Sequence, residues 1–329
     1  MKRVVLKLVR VKFLFIFIYF FLKKKSDSKL VLFIPKINFI WDLATLMVLA
    51  KNNTSFQIKI GLKSLSRIHG KKIIYNPGYN LNHWKIDNNV ALFPLVSKVL
   101  ENQSNNVFPS YSEIIYWENK SYMYDKFLEN GISMPETFVI TNKNLHKIIN
   151  EIDFNSRWLY KPNHSKSSIG IVEVKSDLLN FVKEKLKKNK YVILQKIINI
   201  DRDCRIIVVN NQIVLQYWRN KIETKEWTPT STSTGSTVSF MDYSDSIKKW
   251  VLDASKKLNL RSAAWDLVFA EDDVDLCYPL ALEVSPVYYP NPREKYNTKK
   301  PYIKYKNGLK YEIYLLNEFC KHIELKLDS

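Results

Sequence analysis

The chain has 329 residues, which allows two or three packed subdomains, because domains typically run to about 100 to 150 residues. Its net charge is +19, but the basic residues are spread along the whole sequence without an aromatic and basic recognition motif, which argues against a nucleic-acid partner. The three cysteines are too few and too scattered for a disulfide framework or a zinc site, which favours a reducing, cytoplasmic setting.

The amino terminus carries a short apolar segment, 13–22, between two groups of basic residues. Ten apolar residues are too few to span a bilayer, which needs about 20, and no small-residue cleavage site follows as in a signal peptide. Residues 1–25 therefore either lie on the inner membrane surface, held by aromatic side chains and basic flanks, or form an extension of the first domain. The sequence leaves both interpretations open.

Residues 29–75 alternate strands with a helix, a pattern that predicts a small parallel sheet. The expected strands are Leu30–Ile34, Phe56–Ile60 and Lys72–Tyr75, and the expected helix covers 42–51. An Asn-Pro-Gly turn at 76–78 closes this unit. The region that follows, up to residue 116, is rich in Asn and Ser and is expected to be connecting or substrate-facing, with one short helix over 95–100.

A helix with clear end signals is predicted at 119–130, since Asn119 can cap its start and Gly131 can terminate it. Its buried stripe is expected to consist of Tyr122, Met123, Phe127 and Leu128. Strands are then predicted over 137–140, 158–161, 169–174, 191–195, 263–269 and 280–284. Three helices are predicted, one over 145–152, one that begins after a cap at Ser176, and one over 246–258. A hairpin over 205–218 turns at Asn210 and Asn211, two residues that tolerate positive φ.

Two lysines are placed to bind a polyphosphate. Lys120 stands at the start of the helix that ends at Gly131, and Lys161 ends a strand that leads into the Ser-rich turn 162–170. A cation followed by several backbone and hydroxyl donors can hold phosphate oxygens, although a strand-end lysine taken alone is most often a solvated surface charge. The sequence contains neither a P-loop nor a Rossmann fingerprint, which excludes those two nucleotide sites.

Two carboxylates, Asp266 and Glu283, interrupt apolar strands. An ionised carboxylate without a partner in such a run is heavily penalised, and magnesium would relieve the penalty. The alternative is that each side chain lies on an exposed strand face. The five histidines are scattered, no Ser-His-Asp or Cys-His set is visible, and His164 in the loop is expected to be solvated.

The order of these motifs resembles the ATP-grasp superfamily, nearest its glutamate-ligase and glutathione-synthetase-like branch. Lys120 stands eleven positions before Gly-Ile-Ser-Met-Pro, and Lys161 opens a Lys-Pro strand end and a phosphate loop ending in Ser-Ile-Gly-Ile. Residues 194–198 are similar to the adenine-contacting linker of that family, and residues 203–205 to the Asp-x-Arg that follows it. The similarity covers roughly 119–292.

The resemblance implies a role for each matching residue. The residues expected to bind the nucleotide are Lys120, Lys161, Ser165, Ser168, Gln195, Lys196, Ile197, Asp203 and Thr230. The residues expected to hold one or two Mg²⁺, with Mn²⁺ as an alternative, are Asp266, Glu283 and Ser285. The expected catalytic residues are Arg205 and Arg219, which would stabilise negative charge in the reaction.

Some positions depart from the family pattern. Ser285 stands where the family commonly has Asn, so one metal contact is expected to be weaker or supplied otherwise, for example by Asn291. Lys196 replaces a frequent Glu, and Ser167 and Ser168 replace small Gly residues, which would stiffen the lid. These departures keep open a protein that binds ATP without catalysis.

The predicted architecture is an α/β (α+β) ATP-grasp fold, in which two α+β subdomains clamp ATP after a small α/β domain. The expected segments are a 1–28 extension, a 29–116 domain with connecting region, a 117–195 lid subdomain and a 196–329 subdomain with the magnesium site. The resemblance implies an ADP-forming ligase that joins a carboxylate to an amine through an acyl phosphate; a small-molecule kinase is the alternative. The substrate, an amino acid, peptide or sugar acid, is not readable, and homo-oligomerisation is left open.

Overall fold

The computed structural model of the chain describes residues 15, 18–19, 28–34, 39–51, 55–75, 85–87, 90–165, 168–175, 177–221, 227–230, 235–240, 242–270 and 278–285. These residues form two compact units, the first holding those up to 86 together with 91–114, the second 87–90 and 115–285. Among them, no helix combines the length and apolar character needed to cross a bilayer. Residues 1–25 lie almost wholly outside the described set, so both interpretations of the amino terminus stay predictions.

The first unit is built on a parallel sheet, as its strand and helix alternation predicts. Its strands are β1 (Leu30–Ile34), β2 (Phe56–Ile60), β3 (Lys72–Tyr75) and β6 (Asn106–Phe108), in the order β2-β1-β3-β6, all parallel. Every residue of β1 is buried, which explains why this central strand is a continuous apolar run rather than an alternating one. A separate two-stranded sheet pairs β4 (Lys85–Asp87) with β5 (Val90–Ala91).

The helices of this region are longer and more numerous than predicted. They are α1 (Phe39–Lys51), a 3₁₀ helix (Leu62–Arg67), α2 (Leu92–Glu101) and α3 (Tyr111–Glu118). The expected helix over 95–100 begins three residues earlier, because Pro94 lies in its first turn, where a missing backbone N–H costs nothing. Helix α3 was not predicted, because its residues were assigned to a connecting region.

The second unit contains two antiparallel sheets. The smaller consists of β7 (Thr137–Ile140), β8 (Trp158–Lys161), β9 (Val172–Glu173) and β10 (Val192–Lys196), ordered β7-β10-β8-β9, with helices α5 (Leu145–Ile149) and α6 (Leu178–Leu186). The larger consists of β11 (Arg202–Val209), β12 (Gln212–Asn220), β13 (Thr237–Ser239), β14 (Ser262–Val268) and β15 (Leu280–Ser285), ordered β13-β12-β11-β14-β15, with helices α4 (Lys120–Glu129) and α7 (Asp245–Lys257). Each sheet has its own hydrophobic cluster.

Local signals fixed most boundaries in this unit. Asn119 caps α4 by accepting a hydrogen bond from Tyr122 N, Gly131 follows the helix at φ 61°, and the β11–β12 hairpin turns at Asn210 and Asn211, which have φ of 45° and 61°. The predicted strand 169–174 is wrong in extent, since only Val172–Glu173 is extended after a turn over 168–170. The predicted helix 145–152 ends at Ile149.

Two further expectations are corrected. Asp177 caps α6 by accepting from Asn180 N, whereas the predicted cap, Ser176, lies outside the described residues. On α4, Tyr124 is fully buried and Leu128 is 65% exposed, although the prediction placed Leu128 in the core. The buried face follows the spacing Lys120, Met123, Tyr124 and Phe127, which is the i, i+3, i+4, i+7 row of one helix face.

Helix α4 also completes the outer edge of strand β15. Ala281 N donates to Ser133 O just beyond the helix at 2.8 Å, Tyr124 donates through its hydroxyl to Leu282 O at 3.0 Å, and Val284 N lies 3.4 Å from Met123 Sδ. Edge strands leave such groups unpaired unless a neighbouring element covers them. The helix that begins with Lys120 is therefore held against the strand that carries Glu283.

We expect Phe127→Ala to lower the free energy of unfolding by about 3 to 5 kcal/mol, because the ring is fully buried and stacks on Trp265 with centroids 5.9 Å apart. The adjacent Leu128→Ala should change it by less than about 0.5 kcal/mol, since that side chain is exposed. Urea denaturation of both variants measures the difference. Equal losses would show that the helix packs through another face.

Candidate active site

Strand register places the charged residues of the larger sheet beside one another. On β11, Asp203 and Arg205 are two residues apart and so point to the same face. Asp203 pairs with Arg219 on β12, and Arg205 pairs with Asp266 on β14. Asp266 in turn pairs with Glu283 on β15. Five residues from four strands thus form one charged row.

The row is joined by charge-assisted hydrogen bonds. Arg205 donates to both carboxylate oxygens of Asp266, through Nε at 2.6 Å and Nη2 at 2.7 Å. Arg219 donates to both oxygens of Asp203, at 2.7 and 2.6 Å, and its Nη2 lies 3.0 Å from Asp266 Oδ2. Thr230 Oγ1 donates to Asp203 Oδ2 at 2.6 Å. Such two-point contacts fix the plane of each guanidinium as well as its position.

The two aspartates differ in their electrostatic surroundings. Burial tends to raise the pKa of Asp266, but Arg205 and Arg219 outweigh burial and lower that pKa to about 2. Burial raises the pKa of Asp203, against the opposing effect of Arg219. The pKa of Arg219 is raised by Asp203 and Asp266 despite its own burial. Asp266 is therefore an ionised carboxylate at neutral pH.

Lys120 connects the phosphate loop with Glu283. Its Nζ donates to Ser165 O at 2.8 Å and lies 3.6 Å from Glu283 Oε1. The loop is fastened to the start of α4 by two further bonds, from Lys120 N to Asn163 O at 3.1 Å and from Ser121 N to Asn163 Oδ1 at 2.7 Å. The lysine is buried, so its charge is held in place rather than solvated.

His164 is part of this attachment, and the expectation that it is solvated is wrong. Its Nδ1 is hydrogen-bonded to Glu118 O, and its Nε2 lies 3.0 Å from Asn163 Nδ2. Asn163 Oδ1 already accepts from Ser121 N, so the amide presents its NH₂ group to the ring. Nδ1 therefore carries the proton and Nε2 accepts. Sequence spacing alone gave no sign of these partners.

Lys161 is also buried, and it lies apart from the carboxylates. Its Nζ donates to the hydroxyl oxygen of Tyr124 at 3.0 Å. Burial is the main cause that lowers the pKa of Lys161 to about 8; Lys120 acts in the same direction, while Glu283 and Asp266 oppose the shift. Both predicted phosphate-binding lysines are thus inside the second unit, not on its surface, contrary to the ordinary behaviour of strand-end lysines.

The remaining predicted nucleotide residues follow the smaller sheet and its loop. The Gln195 side chain is buried and donates to Thr137 Oγ1 at 3.0 Å, so the predicted adenine contact would fall to its backbone. Lys196 N and Ile197 N donate to Glu136 O at 2.8 Å and Arg157 O at 2.9 Å.

The phosphate loop closes on itself by a tight contact. Ser168 has a φ of 59°, and at Gly170 a Cβ would lie 2.9 Å from Pro162 Cγ, so only glycine fits there. Ser165 Oγ donates to Pro162 O at 3.3 Å. Residues 166–167 of this loop lie outside the described set, as do residues 231–234, which follow Thr230, and Asn291.

The described residues contain no group of three or more His, Cys, Asp or Glu side chains able to hold a metal. Two carboxylates with phosphate oxygens are nonetheless a usual donor set for Mg²⁺. Asp266 accepts two hydrogen bonds from Arg205 and lies 3.0 Å from Arg219 Nη2, and Glu283 is 28% exposed with Lys120 as an ion-pair partner. Ser285, on the same face as Glu283, is buried opposite Ala264. The donor set fits a divalent cation.

A family model described as a RimK-like ATP-grasp domain matches residues 118–285, about half of the chain. The chain belongs to the RimK-like ATP-grasp family. The match begins just before Lys120 and ends at Ser285, so it includes both lysines, both arginines and both strand carboxylates. This confirms the resemblance drawn from the motifs and the ATP-grasp fold expected from it.

Solved structures carry the same fold at low identity. D-cycloserine synthetase DcsG has a TM-score of 0.59 at 12% identity, over 86% of this chain and 99% of that protein. The ATP-grasp ligase PsnB, complexed with a minimal precursor, Mg and ADP, has a TM-score of 0.54 at 13% identity, over 88% of this chain and 99% of that protein. D-alanine–D-alanine ligase from Bacillus anthracis, complexed with ATP, has a TM-score of 0.54 at 13% identity, over 89% of this chain and 99% of that protein. No curated protein sequence matches the chain. At these identities the likeness establishes the ATP-grasp fold alone.

The depressed pKa of Lys161 predicts a pH-dependent contribution to stability. Between about pH 8 and pH 10.5, the ordinary pKa of lysine, Lys161 is deprotonated in the folded protein but still protonated in the unfolded chain. The free energy of unfolding therefore rises with pH over this range. Relative to Lys161→Met, the wild-type free energy of unfolding should increase by on the order of 3 kcal/mol across this range. Urea denaturation at several pH values measures the increase. Lys161→Arg, which stays charged, should not show it.

Proposed function

We propose that the chain is an ATP-dependent ligase that joins a carboxylate to an amine through an acyl phosphate. The observation that carries this proposal is the contact of Lys120 with both the 162–170 loop and Glu283, which pairs with Asp266 in the charged row. Lys161, at the start of the same loop, is buried as well. Buried cations are costly unless an anion compensates them, and a polyphosphate supplies that anion. Family membership supports the same reading.

We assign the nucleotide to the loop and the two sheets that flank it. Lys120 and Lys161, with Ser165 and Ser168, would contact the phosphates; the backbone of 195–197 would contact the adenine. We assign Asp203 an indirect role, because it is buried and accepts two hydrogen bonds from Arg219 and one from Thr230. Its place in the site is to hold Arg219 and the loop of Thr230. The proposed layout keeps 29–116 as a preceding domain, 117–195 as lid and 196–329 as the subdomain with the carboxylates.

In the proposed reaction, a substrate carboxylate oxygen attacks the γ-phosphorus of ATP, forming an acyl phosphate and releasing ADP. An amine then attacks the acyl carbon, the C–O bond to phosphate breaks, and the amine loses a proton as inorganic phosphate leaves. Negative charge develops at both steps. Arg205 and Arg219 suit it because Asp266 and Asp203 hold their guanidinium planes in advance, so little reorganisation is needed.

Asp266, Glu283 and Ser285 would hold Mg²⁺, or Mn²⁺ in its place. The ion, when bound, neutralises phosphate charge and polarises the transferred group. The ionised state of Asp266 at neutral pH supports this assignment, since a metal requires a deprotonated carboxylate. Glu283 contributes from the strand that α4 covers, which puts Lys120 beside the same carboxylate.

The substrate class stays open among amino acids, peptides and sugar acids. The named relatives include a D-cycloserine synthetase, a D-alanine–D-alanine ligase and a ligase complexed with a precursor peptide, so this fold accepts both small and peptide substrates. Residues 79–84 and 88–89 of the region expected to face the substrate lie outside the described residues. We place the protein in the cytoplasm, where ATP is available.

A phosphate-release screen tests the function. The purified chain, MgATP and a panel of carboxylates are assayed with and without amines, and a ligase should release phosphate continuously only when both substrates are present. Glu283→Ala should lower the rate by about 100-fold or more, because charge stabilisation at the transferred group is lost. Glu151→Ala, which removes an exposed acid paired with Lys147, is the matched control and should keep wild-type activity.

The same screen separates the alternatives. A kinase would leave the γ-phosphoryl group on a hydroxyl product, which phosphorus NMR detects as a phosphate ester. A chain that binds ATP by calorimetry and turns over nothing in the panel would contradict the ligase proposal in favour of a binding protein.

A further inference from the structure

The hydroxyl group of Tyr124 lies at a junction between the two sheets of the second unit. It donates to Leu282 O on β15 at 3.0 Å and accepts from Lys161 Nζ on β8 at 3.0 Å, and Gln195 Nε2 on β10 lies 3.5 Å away. The ring packs edge-on against Phe127 in the core, so the residue is fully buried. Three strands therefore meet at one oxygen atom.

The direction of each hydrogen bond at this oxygen is determined. Leu282 is the extra residue of a β-bulge, since Asp266 pairs with Glu283 and Leu267 with Ala281, and its carbonyl can only accept. The phenol proton must therefore point at Leu282, which leaves the oxygen lone pairs for Lys161 and Gln195. Burial raises the pKa of Tyr124, so the phenol keeps its proton.

Lys161 depends on this oxygen for its position. Among the described residues, the phenol is the hydrogen-bond acceptor that its ammonium contacts, which leaves two of its three N–H donors for a ligand. A lysine side chain has four rotatable bonds and is otherwise poorly fixed. Without the phenol, the ammonium would be drawn toward the carboxylate charge of Glu283, which already acts on it.

We propose that Tyr124 is a positioning residue, which holds the Lys161 ammonium at a fixed place relative to β15 and hence relative to Glu283. The lysine and the carboxylate can then act on the same polyphosphate. The inference rests on the proposed nucleotide site. Tyr124 does not itself contact the nucleotide in this proposal. The bulge at Leu282 has a role in it, because the extra residue turns a carbonyl toward α4 instead of toward β14.

A double-mutant cycle tests the inference. Dissociation constants for Mg²⁺ and a non-hydrolysable ATP analogue are measured by calorimetry for wild type, Tyr124→Phe, Lys161→Met and the double variant. Tyr124→Phe should weaken binding by about 10- to 100-fold, the effect of removing one hydrogen bond to a charged group. On the Lys161→Met background the same change should have little further effect, because the phenol acts through the lysine.

Controls separate this role from a structural one. Tyr75→Phe removes a buried hydroxyl bonded to Ser97 in the first unit and should leave nucleotide affinity unchanged. Tyr124→Leu also removes the phenol but packs differently from Phe, so it serves as a second variant if Tyr124→Phe is poorly folded. Thermal unfolding of both variants shows whether each is folded. Additive losses in the cycle would overturn the inference, whereas failure of the wild type to bind the analogue would overturn the nucleotide site itself.

Discussion

Helix α4 lies against the edge of strand β15, and the geometry of the site depends on this contact. Hydrogen bonds to Ala281 and Leu282 and a sulfur contact to Val284 replace the strand partner that β15 lacks on its outer side. Because Lys120 is the first residue of that helix and Glu283 lies on that strand, the contact brings a cation and a carboxylate together at 3.6 Å. The phosphate loop is bonded to the same helix terminus, so loop, helix and strand are positioned as one body.

The row of arginines and aspartates holds charged side chains in fixed positions within a buried sheet. Each arginine is held at two points by an aspartate on the neighbouring strand, and Asp266 is shared between them. Paired in this way, buried charges avoid the penalty of isolation, although such pairs contribute little net stability. The proposed reaction would use these pairs, since it needs fixed positive charge near the transferred group.

The sequence alone predicted the elements whose signals are local. Asn119 and Gly131 end α4 through capping and positive φ, and the asparagine pair turns the β11–β12 hairpin. It could not predict the partner of Arg219, because that pairing depends on the register of the hairpin and its irregularity at Ile207. Tyr124 was missed because its role requires Leu282, a residue 158 positions away whose carbonyl is exposed by a bulge. Long-range register is set by tertiary packing rather than by propensity.

In the proposed site, the two buried lysines and the strand carboxylates surround one magnesium-bound polyphosphate. A crystal structure with Mg²⁺ and a non-hydrolysable ATP analogue tests it most directly. The account predicts the Nζ atoms of Lys120 and Lys161 within about 3.2 Å of phosphate oxygens, and the cation between those oxygens and the carboxylates of Asp266 and Glu283. Phosphates bound elsewhere on the chain, with Lys161 still directed only at Tyr124, would contradict it.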